Sequence, residues 1–269
     1  MNLFDTHCHL QDPRLFSRLE EVLRAAGKAG VRAMLCCGAE EDDWPRVVEM
    51  ARRFPSIVPA LGVHPLYDTQ RRPGWLDRLK GLLLESGAAV GEIGLDHAMK
   101  PRNERDQEEV FVAQLRLAIE LNRPVSIHCR QAWGRMPELL RTIGVPKAGA
   151  VIHSYSGGKD LVRPLIDLGV YLSFSGSITR SNNRRGCEAV PSIPQDRLLV
   201  ETDSPDIMPM IDSKWPPKGA VNEPANLVHV ARKLAELRGV TAEELADHVW
   251  ENACRVFGGD RVSPRAAML

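Results

Sequence analysis

The sequence predicts an α/β protein, a single (β/α)8 barrel with extra C-terminal helices, and three observations carry that expectation. Short runs rich in Val, Ile, Leu and Ala alternate with amphipathic stretches of helical length, the pattern of βα units around a parallel sheet. Eight such runs fall within about 250 residues, the size and rhythm of a TIM barrel. The position after the first run holds Thr6-His7-Cys8-His9, where the doubly wound alternative would carry a glycine-rich phosphate loop. No Gly/Ser-rich linker or shift in composition divides the chain, so residues 1–269 are expected to form one domain.

The strands are read at Leu3–Thr6, Ala33–Cys37, Ile57–Gly62, Ala88–Ile93, Pro124–Ile127, Ala150–Ile152, Val170–Phe174 and Leu198–Glu201. Between them Leu15, Leu19, Val22, Leu23 and Ala26 recur at helical spacing, as do Phe111, Leu115, Ala118 and Ile119, so each helix should bury one stripe. Two helices follow the last strand, Ala225–Leu237 and another whose Thr241-Ala242-Glu243-Glu244 opening predicts a capping box. The tail beyond Gly258 is expected to fray.

Composition narrows the partners. The 35 Lys and Arg cancel the 35 Asp and Glu, so no whole-molecule field holds a polyanion and any nucleic-acid contact must be local. Cys8, Cys36, Cys37, Cys129, Cys187 and Cys254 follow no CxxC or framework spacing and read as reduced thiols. There is no run of about 18 apolar residues and no basic leader before an apolar segment, so a cytoplasmic protein without membrane contact is expected.

Chemistry is concentrated where strands end. His7 and His9 are two apart on an extended chain, so their imidazoles face one way and Cys8 the other; alone, the pair also fits two structural histidines. Later strands end in Gly91-Glu92-Ile93-Gly94-Leu95-Asp96, Ser126-Ile127-His128-Cys129-Arg130, Ile152-His153-Ser154 and Glu201-Thr202-Asp203-Ser204. In a barrel, each would deliver a metal-binding residue to the carboxyl-end rim. A carboxylate closing an apolar strand is costly to bury alone, and a cation satisfies several such groups at once. Four histidines and two carboxylates exceed one tetrahedral site, so two divalent ions are expected, with Glu92 as the bridge. Ions about 3.5–4 Å apart generate hydroxide at neutral pH and hold both oxygens of an in-line displacement, which is hydrolytic chemistry.

These motifs, with Phe4-Asp5-Thr6-His7-Cys8-His9-Leu10, Leu61-Gly62-Val63-His64-Pro65, Ile152-His153-Ser154-Tyr155-Ser156-Gly157 and Asn222-Glu223-Pro224-Ala225-Asn226, resemble the TatD-type deoxyribonucleases of the amidohydrolase-like metal-dependent hydrolases. The resemblance runs over essentially the whole chain. It implies a phosphodiesterase that removes nucleotides from DNA ends, a 3′-5′ exonuclease on single strands or ends, with RNA a possible second substrate. By matching motifs, His7 and His9 would hold one ion with Asp203, Glu92 would bridge, and His128 and His153 would hold the other. Asp203 and Glu92 would be the catalytic residues, Asp203 as general base toward water. His64, in the matching Gly-Val-His-Pro motif, could contact a substrate phosphate or support a ligand from behind, and equally fits a structural histidine before a proline; Arg130 could take a phosphate oxygen in a forked contact or be a solvated charge. Asp5 shares the parity of His7 and could orient it. The chain departs from the family pattern at His97-Ala98-Met99 and at Ser154-Tyr155, in loops that meet substrate.

The rim loops are locally basic, with Arg71, Arg72, Lys100, Arg102, Arg105, Arg130, Arg135, Arg180, Arg184 and Arg185. The expectation is that these contact phosphates flanking the scissile one, Arg180 and Arg184 foremost. Tyr67, Trp133 and Tyr155 are the loop aromatics considered for base stacking. The ions are expected to be Mg, Mn or Zn: imidazole-rich ligand softness favours zinc, nickel or manganese, whereas the resemblance implies magnesium as the working ion. A monomer is expected. Two other readings stay open: a dinuclear-metal amide or ester hydrolase acting on a small molecule or aminoacyl-tRNA, since metal chemistry does not choose between phosphorus and carbonyl centres, and a non-catalytic interaction protein. Carbonyl-cleaving relatives often bridge with a modified lysine, so Glu92 favours the nuclease.

Overall fold

The computed structural model describes residues 1–101, 103–212 and 214–258. Eight parallel strands, β1 (Leu3–Cys8), β2 (Val31–Cys37), β3 (Ile57–Leu61), β4 (Ala89–Asp96), β5 (Val125–Arg130), β6 (Ala150–Ile152), β7 (Val170–Phe174) and β8 (Leu198–Val200), follow one another around one sheet in chain order. The barrel is nearly closed. No full ladder joins β8 to β1; the segment just after β8 does so instead. His9 N–H donates to Ser204 O (2.7 Å), Asp203 N–H donates to His7 O (2.9 Å), and Cys8 and Ser204 form a parallel bridge.

The helices are α1 (Pro13–Phe16), α2 (Leu19–Lys28), α3 (Trp44–Arg53), α4 (Trp75–Ser86), α5 (Glu104–Glu120), α6 (Arg135–Ile143), α7 (Lys159–Asp167), α8 (Arg184–Ala189), α9 (Leu227–Arg238) and α10 (Ala242–Ala253). The stripe read through residues 15–26 spans a break: Arg18, at φ −133° and ψ 32°, is not helical, so it is shared by α1 and α2. Thr241 caps α10, and Glu244 returns the bond to complete the capping box. The tail beyond Gly258 lies outside the described residues.

Two apolar layers result. One lies between the sheet and its helices, with Leu3, Met34, Ile57, Ile127 and Leu172 facing Leu15, Val22, Phe111 and Leu165. The other fills the barrel, where Phe4, Leu35, Val151, Tyr171 and Leu199 meet Trp250 and Phe257. The last two stand 6.2 and 6.4 Å from the Phe4 ring, so the C-terminal helix plugs the end where strands begin. The opposite end is left for polar groups. Accordingly β1, β4 and β5 run past their apolar stretches to Cys8, Asp96 and Arg130. The sequence reading stopped short because polar side chains interrupt the apolar run, although each finds a partner inside the rim.

Candidate active site

β1 supplies the first two imidazoles. His7 Nδ1 is 2.9 Å from Ser126 Oγ across the barrel, and His9 Nδ1 donates to the Cys37 carbonyl at 2.8 Å. Both Nε2 atoms meet at 3.2 Å, while Cys8 turns outward and donates to Leu35 O. Glu92, 3% exposed, stands at the centre. Its Oε2 lies 3.2 Å from His7 Nε2 and 3.4 Å from His9 Nε2. Its Oε1 lies 2.8 Å from His153 Nε2, 3.0 Å from His128 Nδ1 and 3.3 Å from His64 Nε2. Asp203 Oδ1 approaches His9 Nε2 at 3.6 Å and His7 Nε2 at 3.9 Å. The six side chains read as ligands thus converge, and His64 joins them.

His64 differs from the others in its protons. Its Nδ1 accepts the Leu66 backbone N–H at 3.0 Å, and an amide can only donate. The neutral ring therefore carries its proton on Nε2, aimed at Glu92, and serves as a donor rather than a metal ligand. His9 is the reverse: the Cys37 carbonyl fixes a proton on Nδ1 and leaves the Nε2 lone pair for a cation.

Two carboxylates support the histidines from behind, and sequence reasoning gave neither a role. Asp96 Oδ2 is 3.3 Å from His128 Nε2, and its other oxygen accepts Ala98 N–H at 2.8 Å. Glu201, fully buried, accepts Ser154 N–H at 2.5 Å and lies 3.4 Å from His153 Nδ1; its Oε2 has no partner among the described residues. The available signal was spacing, since Asp96 follows Glu92 by four and Glu201 precedes Asp203 by two along extended chain. Asp5 takes a different place from the one expected. It accepts from Thr202 N–H (2.8 Å) and Thr202 Oγ1 (2.5 Å), sealing the β1–β8 seam, whereas Ser126 holds the His7 ring.

The electrostatics fit a cation. Burial pushes Glu92 up, but His64, His153 and His7 together hold it well below the usual carboxylate range. Burial likewise raises Asp203, yet the His9 contact and nearby imidazoles bring it down to about 2. Among the imidazoles, burial lowers His9, but Asp203 and Glu92 more than offset it and leave it at about 9; His153 is also driven well up by Glu92 and Glu201. Burial wins at His7 and His64, which are lowered. Ionised carboxylates faced by imidazoles, with ligand atoms of His7, His9 and Glu92 and of His7, His153 and Asp203 within 4.8 Å of one another, form donor sets suited to divalent ions. The left-handed backbone at Asp203 (φ 56°) and Ser154 (φ 44°) is the kind of local strain found at functional sites.

A cavity of about 400 Å³ opens over this centre, walled by Arg130, Ser154, Ser156, Ser177, Asp206 and Ile207 among others. Arg130 is exposed, 3.7 Å from Asp96; Arg180 and Arg184 stand outside the wall. Four of the rim arginines are engaged elsewhere: Arg71 with Asp106, Arg72 with Asp42, Arg105 with Glu109 and Arg135 with Glu108. The sequence showed their positive charge and not the acids opposite. Arg102 lies outside the described residues. Tyr155 is buried and packs edge-on against Trp133 and Phe174, so its ring belongs to the rim core.

Comparison with known proteins is consistent with this geometry. The family model for TatD related DNase matches residues 4–258. The chain belongs to that family. The TatD-family relatives include the uncharacterized metal-dependent hydrolase YabD of Bacillus subtilis (strain 168), 35% identical over 258 residues, 95% of this chain and 98% of YabD. They also include the 3′-5′ ssDNA/RNA exonuclease TatD of Escherichia coli (strain K12), 33% identical over 264 residues, 95% of this chain and 99% of TatD. The solved structure of YJJV, a TatD homologue from Escherichia coli K12, superimposes with a TM-score of 0.88 at 28% identity, covering 95% and 98% of the two chains. This TatD-family protein is a metal-dependent hydrolase acting on ester bonds. No described helix is long and apolar enough to cross a membrane.

Proposed function

We propose that this TatD-family hydrolase is a cytoplasmic, monomeric, single-domain phosphodiesterase that removes nucleotides from the 3′ end of unpaired DNA, with RNA as a second substrate. The observation that carries the reading is Glu92, whose two oxygens face two separate sets of imidazoles. One divalent ion would be held by His7, His9 and Asp203, a second by His128 and His153, with Glu92 shared. Bound ions supply Lewis acidity, which lowers the pKa of water and neutralises phosphoryl charge. Asp203, ionised throughout the neutral range, orients the attacking water and accepts its proton. His64, as an Nε2 donor, keeps Glu92 ionised and in place. Arg130 at the cavity wall takes a phosphate oxygen, and Arg180 and Arg184 contact the phosphates beyond. The centre lies at the bottom of one mouth, which suits a chain end whose bases are not held in a duplex.

End-labelled single strands assayed with Mg, Mn and Zn should be shortened from the 3′ end, and His128→Ala should slow this on the order of 10³-fold. Equal cleavage by the variant, or no cleavage of any strand by the wild type, would refute the reading.

Protonation gives a second expectation. The facing carboxylates raise His9 to about 9 and also raise His153 and His128, favouring the protonated imidazoles in the metal-free chain, so binding ions must displace protons. Calorimetry of Mn or Zn uptake in buffers of different ionisation enthalpy should show that release, with affinity rising from pH 6 to 9. For folding the sign is opposite. Relative to unfolded values of 6.5 and 3.8, His9 is raised to about 9, and Asp5, mainly by burial, to about 8. Their stabilisation is complete below the unfolded values and is lost as pH climbs through the folded ones. The metal-free protein should therefore melt at lower temperature at pH 9 than at pH 6. A rising melting temperature over that range would contradict the assignment.

A further inference from the structure

Charge around the rim is distributed unevenly. Over β1 and β2 the wall carries Asp12, Glu40, Asp42 and Asp43 beside His9, against Arg14 and Arg46, a net acidic sector that disfavours a phosphodiester backbone. Over β3 to β5, Arg71, Arg72 and Arg135 are already paired with acids. Beyond β7 and β8 the situation is different: Arg180, Arg184, Arg185, Lys214 and Lys218 have no ion pair among the described residues. The acids of that sector are occupied in part, Asp206 by Arg14 at 2.9 Å, while Asp212 lies within electrostatic reach of His229.

The loop leaving Asp203 adds an aromatic ring to this basic sector. Asn222 N–H closes its base on Pro205 O at 2.8 Å, and Ile211 and Lys214 exchange backbone bonds of 3.3 and 2.9 Å. Met210 N–H donates to Thr179 Oγ1 at 2.7 Å, pinning the loop to the turn after β7. Contact there is close enough that a Cβ on Gly176 would lie 2.0 Å from Ile207 O, and Ile207 itself walls the cavity. Trp215, 55% exposed, stands on this anchored loop with Lys214 beside it and Lys218 three residues on. In a chain with 5% aromatic residues, a solvated indole flanked by unpaired cations matches a stacking platform in an electrostatic funnel.

We infer that Trp215 stacks one base of an unpaired nucleic-acid strand, DNA or RNA, whose phosphates cross Lys214, Lys218 and the Arg180–Arg185 turn on the way to the catalytic mouth. The inference rests on the proposed nuclease reading and adds the path of the strand. The indole supplies a face that any base can use, so the contact is tolerant of sequence, while the lysines fix the direction of the backbone.

The test is binding of fluorescein-labelled dT12 and rU12 to the full chain in EDTA, followed by anisotropy, with a blunt duplex as a third arm. Trp215→Ala should weaken strand binding about tenfold, Trp215→Phe should restore most of it, and the duplex should be unaffected. Lys214→Ala with Lys218→Ala should flatten the slope of log affinity against log salt by about 1.4. In the loaded enzyme, Trp215→Ala should raise KM for dT12 about tenfold and leave kcat on a dinucleotide unchanged. Unchanged strand binding by Trp215→Ala, or equal loss on strand and duplex, overturns the platform even if the protein proves to be a nuclease. Binding by the wild type with no cleavage in the loaded enzyme would instead defeat the proposed function and leave the platform standing; absence of strand binding by the wild type overturns the platform, whatever the cleavage assay shows.

Discussion

Glu92→Gln is expected to cut hydrolysis on the order of 10³-fold, about 4 kcal/mol of barrier, and to lower metal content measured on the purified chain. The substitution keeps shape and removes charge. Five imidazole nitrogens from three strand ends and one loop lie within 3.4 Å of this carboxylate, so nothing else in the site can replace it as the shared anion. A glutamine amide offers one acceptor oxygen and an NH2 that would confront imidazole protons. Without the anion, His153 loses its main reason to stay protonated, and His9 is left with Asp203 alone. The metal-free variant should thus release fewer protons on acid–base titration between pH 6 and 9, a readout independent of catalysis. Removing one member of a buried charge pair can cost about 3–5 kcal/mol, but imidazoles can shed their protons, so the loss of stability should fall below that. A variant retaining two ions and activity within tenfold of wild type would remove Glu92 from its central role.

Gly94→Ala should be strongly destabilising for a change of a single methyl. Gly94 pairs with His128 between β4 and β5, and an added Cβ would lie 2.0 Å from the His128 carbonyl oxygen and 2.8 Å from its nitrogen. Those atoms are backbone, so relief requires the strands to separate beside the metal-binding face. A loss of about 3–5 kcal/mol is expected, in the range reserved for forced repacking, or roughly 10 °C in melting temperature. Gly81→Ala is the matched control. It lies in α4 with nothing within 4 Å of the new methyl, so it should stabilise by about 0.5–1 kcal/mol. Should both variants melt within 2 °C or so of wild type, the close approach of β4 to β5 has been overestimated.

Much of this was legible in the chain. The eight apolar runs became β1 to β8 in order, because a strand buried on both faces needs continuous apolar sequence. His7, His9, Glu92, His128, His153 and Asp203 were recognisable because polar residues that end apolar strands must find partners. Charge and aromaticity along the chain were poor guides to what each side chain meets in the fold. Arg71, Arg72, Arg105 and Arg135 read as free cations, yet each faces an acid; for Arg71, Asp106 lies 35 residues away. Tyr155 read as a loop aromatic and is buried, whereas Trp215 escaped notice and is exposed.

The division has a physical cause. Strand positions and the residue types at their ends follow from local periodicity and from the cost of burying a polar group, both of which act within a few residues and are written in one dimension. Which nitrogen of His64 carries a proton, which carboxylate backs His153 and which arginine is already neutralised depend on distances of 2.5–4 Å between groups up to dozens of residues apart, and only closure of the barrel sets those distances.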